Sequence, residues 1–91
     1  MSPRQIRALL VRNGFVGEEL DSIEFSKDEV EVMVVDGDKD VDYEATDTLS
    51  DRVSAVLGWG GFKCGYGAWV LRNDYVVNTQ DYGDKSNPIH Y

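Results

Sequence analysis

The sequence predicts an α+β domain: a small antiparallel sheet of about five strands with two helices packed on one side, in the order α-β-β-β-α-β-β. Three observations lead there. Two segments carry apolar residues at helical spacing between capping signals. Residues 29–35 alternate apolar and acidic side chains with the period of a strand. Glycine or an Asn-Asp pair punctuates the chain between these runs.

The first helix is expected over 3–13. Ser2 suits the N-cap, Pro3 the first helical position, and Gln5 closes a capping box. Ile6, Leu9 and Leu10 share one face, and Gly14 supplies the stop. Residues 20–26 read as a short strand with Ile23 and Phe25 on one face. Residues 29–35 read as a second strand, Asp36-Gly37 as a hairpin turn, and Val41 to Ala45 as its return. This register puts Val30, Val32, Val34, Val41, Tyr43 and Ala45 inside. Glu29, Glu31, Met33, Asp40, Asp42 and Glu44 then face out, with like charges opposite one another.

A second helix is expected over roughly 48–57, capped by Thr48 with Asp51 and ended by Gly58, with Leu49, Val53, Val56 and Leu57 as its apolar stripe. The segment 58–69, rich in glycine and aromatics, leads into a strand over 68–71. Asn73-Asp74 turns it toward a return strand over 75–79. Residues 1–80 thus make one domain, and 81–91 a loosely ordered tail. The order of the first five elements resembles that of a double-stranded-RNA-binding domain, but the second helix carries only Arg52 where such a domain needs a basic face.

The net charge of the 91 residues is −8, unevenly spread. Between Glu18 and Asp51 fourteen acidic side chains face only Lys27 and Lys39, a net of −12. Arg4, Arg7 and Arg12 make the first helix cationic. Such a charge disfavours direct binding to nucleic acid or an anionic membrane and attracts a basic protein. The apolar stretch at the N-terminus is interrupted by arginine and lacks a signal-peptide core, and Cys64 is the single cysteine. Both point to a cytoplasmic protein, in the host cytoplasm if encoded by a phage.

Catalytic constellations are absent from the sequence. The one histidine, His90, falls in the tail, and Cys64 has no partner base at hand. The glycines of 58–67 match neither a P-loop nor a dinucleotide fingerprint. Asp36, Asp38, Asp40 and Asp42 alternate as in a calcium loop, but Val41 stands where that loop needs glycine and Asp47 where it needs glutamate. No cofactor and no metal is expected, and the chain is expected to bind rather than catalyse.

What remains is the acidic surface. Two strands bearing carboxylates on one face present about one charge per ~3.4 Å, half the density of duplex DNA. The expected role is an inhibitor that mimics nucleic acid and occupies the basic, nucleic-acid-binding surface of another protein, a nuclease or defence complex. In size and charge it resembles the anti-CRISPR and anti-restriction proteins of phages and mobile elements. The expected contacts are Glu29, Glu31, Asp36, Asp38, Asp40, Asp42, Glu44 and Asp47. Two alternatives stand beside it. One is an assembly module using an aromatic patch of Trp59, Phe62, Trp69 and Tyr75. The other is a generally acidic halophilic domain, which the excess of Asp (eleven) over Glu (six) suits and the clustering of charge opposes. Exposed sheet edges allow a homodimer.

Overall fold

The computed structural model describes residues 1–75 and the backbone of Asp84–Lys85. The class is α+β, as the sequence predicts. A small antiparallel sheet has the order β1-β2-β4-β3-β5, formed by β1 (Ile23–Ser26), β2 (Glu29–Val32), β3 (Gly60–Lys63), β4 (Trp69–Arg72) and β5 (Asp84–Lys85). Among the described residues three helices accompany it: α1 (Pro3–Arg12), the single turn α2 (Gly17–Leu20) and α3 (Tyr43–Leu57). None of the described helices is long and apolar enough to cross a membrane.

Helix α1 forms as its caps dictate. The Gln5 amide donates to the Ser2 hydroxyl at 3.2 Å, and the Ser2 amide donates to the Gln5 side chain at 2.8 Å. Gly14 takes a left-handed conformation after the C-cap, and the Phe15 amide returns to the Leu10 carbonyl, folding Phe15 against the helix it follows. Ile6 and Leu10 are fully buried. They join Leu49 and Val53 of α3 and the inward row of the sheet (Ile23, Val30, Val32, Trp69, Leu71) in one core.

The sheet departs from the expected pairing in a way that matters for the charges. The hairpin that forms is β1–β2, turning at Lys27-Asp28 with Asp28 at positive φ. The second neighbour of β2 is β4, with Val30 opposite Leu71 and Val32 opposite Trp69. Residues 41–45 are therefore not a return strand. The expected hairpin at Asp36-Gly37 survives as one bridge, Val35 to Val41. Its Gly37 does not take the positive φ of a two-residue hairpin turn, and Lys39 takes one instead.

The long helix begins at Tyr43, five residues before its expected start, because Asp42 caps it by accepting the Ala45 amide at 3.0 Å. Strand 20–26 shortens to Ile23–Ser26, since Leu20 ends α2, and strand 29–35 shortens to Glu29–Val32. Of the expected inward set, Val30 and Val32 are buried, Val34, Val41 and Ala45 are half-buried, and Tyr43 is exposed.

The Gly/aromatic segment contributes its two ends to the core. Trp59 and Trp69 are buried in it, which removes both from the expected aromatic patch. Strand β3 passes so close to β4 that a Cβ on Gly61 would lie 1.9 Å from the Val70 carbonyl oxygen. Tyr75 follows a turn closed on Arg72, and the return strand expected over 75–79 lies, beyond Tyr75, outside the described residues. Within the expected loose tail, Asp84 and Lys85 pair with Phe62 and Gly61 of β3.

The close approach of β3 and β4 gives a direct test. Gly61→Ala should destabilise the fold by about 1–3 kcal/mol through overpacking against backbone that cannot yield. Gly65→Ala, with nothing within 4 Å of its added Cβ, should stay within about 0.5 kcal/mol. Urea unfolding followed by tryptophan fluorescence reads both.

Candidate functional site: an acidic loop and groove

After Val32 the chain leaves the sheet and returns to it only through the helix. The Val34 amide donates to the Thr46 hydroxyl at 2.9 Å, and the Asp42 amide donates to the Val34 carbonyl at 2.8 Å. Thr46 is fully buried, so this side chain on α3 fixes the Val34 end of the loop, and the backbone bond from Asp42 closes the other end.

The loop itself is organised by Asp36. Its carboxylate accepts from the amides of Asp38 (2.8 Å) and Asp40 (3.1 Å), while its own amide donates to the Asp40 carbonyl at 2.8 Å. Asp36, Asp38 and Asp40 all remain exposed.

Among the eight acidic residues expected to meet a partner, the structure keeps five in continuity. Asp36, Asp38 and Asp40 lie on the loop, Asp42 caps α3, and Glu44 stands in its first turn. Among the described residues no cation forms an ion pair with any of these five.

The other three are set apart. Glu29 and Glu31 lie on the sheet face away from the helices; Glu29 pairs with Arg72 at 3.5 Å, and Glu31 accepts the Tyr66 hydroxyl at 2.6 Å. That hydrogen bond, with a lesser one involving Cys64, raises the Tyr66 phenol above its ordinary range. Asp47 accepts the Trp69 indole N–H at 2.7 Å and pairs with Lys63 at 3.3 Å. The row of carboxylates along a hairpin, and the charge spacing it implied, therefore does not form. Its place is taken by a loop and a helix start.

Two residues that the sequence analysis did not mark complete the surface. Glu18 and Glu19 of α2 line, together with Asp42 and Glu44, a groove of about 590 Å³. Val34, Val35, Ala45 and Leu49 give the groove an apolar part, and Val35 is 47% exposed. Arg52 also lines it, but that charge is committed: its guanidinium hydrogen-bonds Glu19 and stacks over the Phe15 ring at 4.5 Å. The signal for α2 was local. Glu19 lies three residues after Val16 and returns its side chain to the Val16 amide at 3.0 Å.

A second hollow of about 350 Å³, lined by Lys27, Asp28, Glu29, Arg72, Asn73 and Asp74, contrasts with the groove. There the charges neutralise one another: Asp28 binds the N-terminal amine, and Arg72 binds both Glu29 and Asp74. Among the described residues no cluster of three acidic, histidine or cysteine groups is placed to hold a metal ion.

Comparison with protein-family models, with curated proteins and with solved structures finds no match.

Two measurements check this construction. Thr46→Val keeps shape but leaves the Val34 amide without its acceptor, and should cost about 1–3 kcal/mol. Faster hydrogen exchange at the Val34 and Asp42 amides should accompany the loss. The Arg52 hydrogen bond, then the Val16 amide, hold the Glu19 carboxyl below its ordinary 4.5. A depressed folded-state pKa contributes stability that is complete above the unfolded value and is lost as pH falls through the folded one. Acid titration below about pH 4.5 should thus be less steep in Arg52→Gln than in the parent chain.

Proposed function

We propose that this protein is a small acidic binding protein that inhibits or regulates a partner by covering that partner's basic, nucleic-acid-binding surface. The observation that carries the proposal is the run Asp36, Asp38, Asp40, Asp42 and Glu44, held in continuity by Asp36 and Thr46 and paired with no cation among the described residues. Elsewhere in the described chain the acids Glu19, Asp28, Glu29 and Asp47 have cationic partners of their own. Unpaired carboxylates of one sign raise the local negative potential and steer a cationic partner during encounter.

The contact surface in this proposal is the loop and the start of α3, not two strands. Mimicry of a nucleic acid then rests on sign and clustering, not on a regular spacing. Glu29 and Glu31 drop out as contacts of this surface, because they sit on the opposite face of the sheet and are engaged there. Asp47 contributes through the Trp69 indole, as a support of the helix–sheet seam.

The test is capture of nucleic-acid-binding proteins at low ionic strength. The immobilised chain should retain basic proteins that are released both by added salt and by competing duplex DNA. The triple variant Asp38→Asn/Asp40→Asn/Glu44→Gln should lose about tenfold or more in affinity for the recovered partner, whereas Glu24→Gln/Glu29→Gln/Glu31→Gln should stay within about threefold. Retention indifferent to both salt and duplex DNA overturns the proposal.

A further inference from the structure

We propose that the groove between α2 and the first turns of α3 receives an arginine side chain projecting from the partner protein. This rests on the preceding proposal of a cationic partner, and narrows it to one side-chain type and one place.

The groove, about 590 Å³, is a solvent-open depression with room for one long side chain. Its lining has two chemical zones. Val34, Ala45, Leu49 and the exposed Val35 offer apolar surface, and Glu18, Glu19, Asp42 and Glu44 offer carboxylates against the single cation Arg52. An apolar ligand would leave those carboxylates desolvated without partners. An anion would be repelled by a lining of net charge −3. A long side chain with an apolar stem and a cationic head satisfies both zones together.

Arginine fits better than lysine. Its guanidinium is planar and weakly hydrated, and it binds carboxylates through two parallel hydrogen bonds. The chain already uses this chemistry at the groove wall, where Glu19 and the Phe15 ring hold the guanidinium of Arg52. Glu19 is thereby engaged, and Asp42 is partly matched by the N-terminus of α3, which it caps. Glu18 and Glu44 are left to bind the incoming head group. Neither forms an ion pair within the described chain.

The experiment titrates the full ¹⁵N-labelled chain at low ionic strength with the blocked tripeptide Gly-Arg-Gly and, separately, Gly-Lys-Gly. The arginine peptide should give saturable amide shifts at Val34, Val35 and Ala45, and bind about fivefold or more tightly than the lysine peptide. Glu18→Gln/Glu44→Gln should weaken the arginine peptide about fivefold or more, while Asp38→Asn/Asp40→Asn, outside the groove, should change it less than about twofold. Val35→Lys, a change at an exposed position, should abolish the shifts with the fold intact. Equal affinity for the two peptides, or shifts confined to residues 36–40, would overturn the arginine site. Either result would leave the acidic-surface proposal standing. If neither peptide shifts any amide at low salt, the arginine site falls as well, while the acidic-surface proposal is decided by the capture experiment.

Discussion

The buried hydroxyl of Thr46 joins the parts on which everything else depends. It satisfies the Val34 amide at the point where the chain has left the sheet and has no strand partner. A half-buried amide left without an acceptor is costly, so this contact favours the segment after Val32 lying against α3. The Asp42 amide closes the same loop on the Val34 carbonyl, and the Asp42 carboxylate opens the helix. Sheet, loop and helix are coupled within a few residues. A change at Thr46 acts on all three.

This coupling also explains how a chain of such negative charge partitions it. Acids within reach of the protein's own cations are used structurally: Glu19 with Arg52, Asp28 with the N-terminal amine, Asp47 with Lys63. Exposed ion pairs of this kind contribute little individually, and Asp47 gains more definition from the Trp69 indole, which ties α3 to β4. Among the described residues the loop acids have backbone partners at most. Asp36 spends its carboxylate on the amides of Asp38 and Asp40, which fixes the loop and leaves those two side chains outward. Local order thus comes from one aspartate, and the neighbouring charges are left to act at longer range.

Much of the fold was legible because it is written locally. Ser2, Pro3, Gln5 and Gly14 specify α1 almost to the residue, and the alternation of Val30 and Val32 with Glu29 and Glu31 assigns the faces of β2 correctly. Alternation says which side of a strand is inward but not which strand lies beside it. Residues 41–45 continue the apolar–acidic pattern and so looked like the partner of β2, a position that β1 and β4 fill. The competing signal was Asp42 as an N-cap with Glu44 in the first turn, and it prevails because the Thr46 hydroxyl supplies a tertiary bond no strand would have made. The acidic region was therefore visible from composition. Its division into a loop, a groove and an opposite sheet face was not, because that division follows from pairing. Glu18 and Glu19 were visible as charges, but their place on the groove depends on α2, a single turn too short to carry a periodic signal.

The edge of the sheet at β1 has a consequence for how copies of this chain meet. The strand is four residues long, has only β2 beside it among the described residues, and carries Glu24 on its exposed face directly across from Glu31. A second copy adding its own β1 in antiparallel fashion would bring further carboxylates into that acidic row. A short, acid-bearing border of this kind is a poor template for intermolecular β-extension. Dispersal in solution is thus favoured by where the acids stand as well as by how many there are.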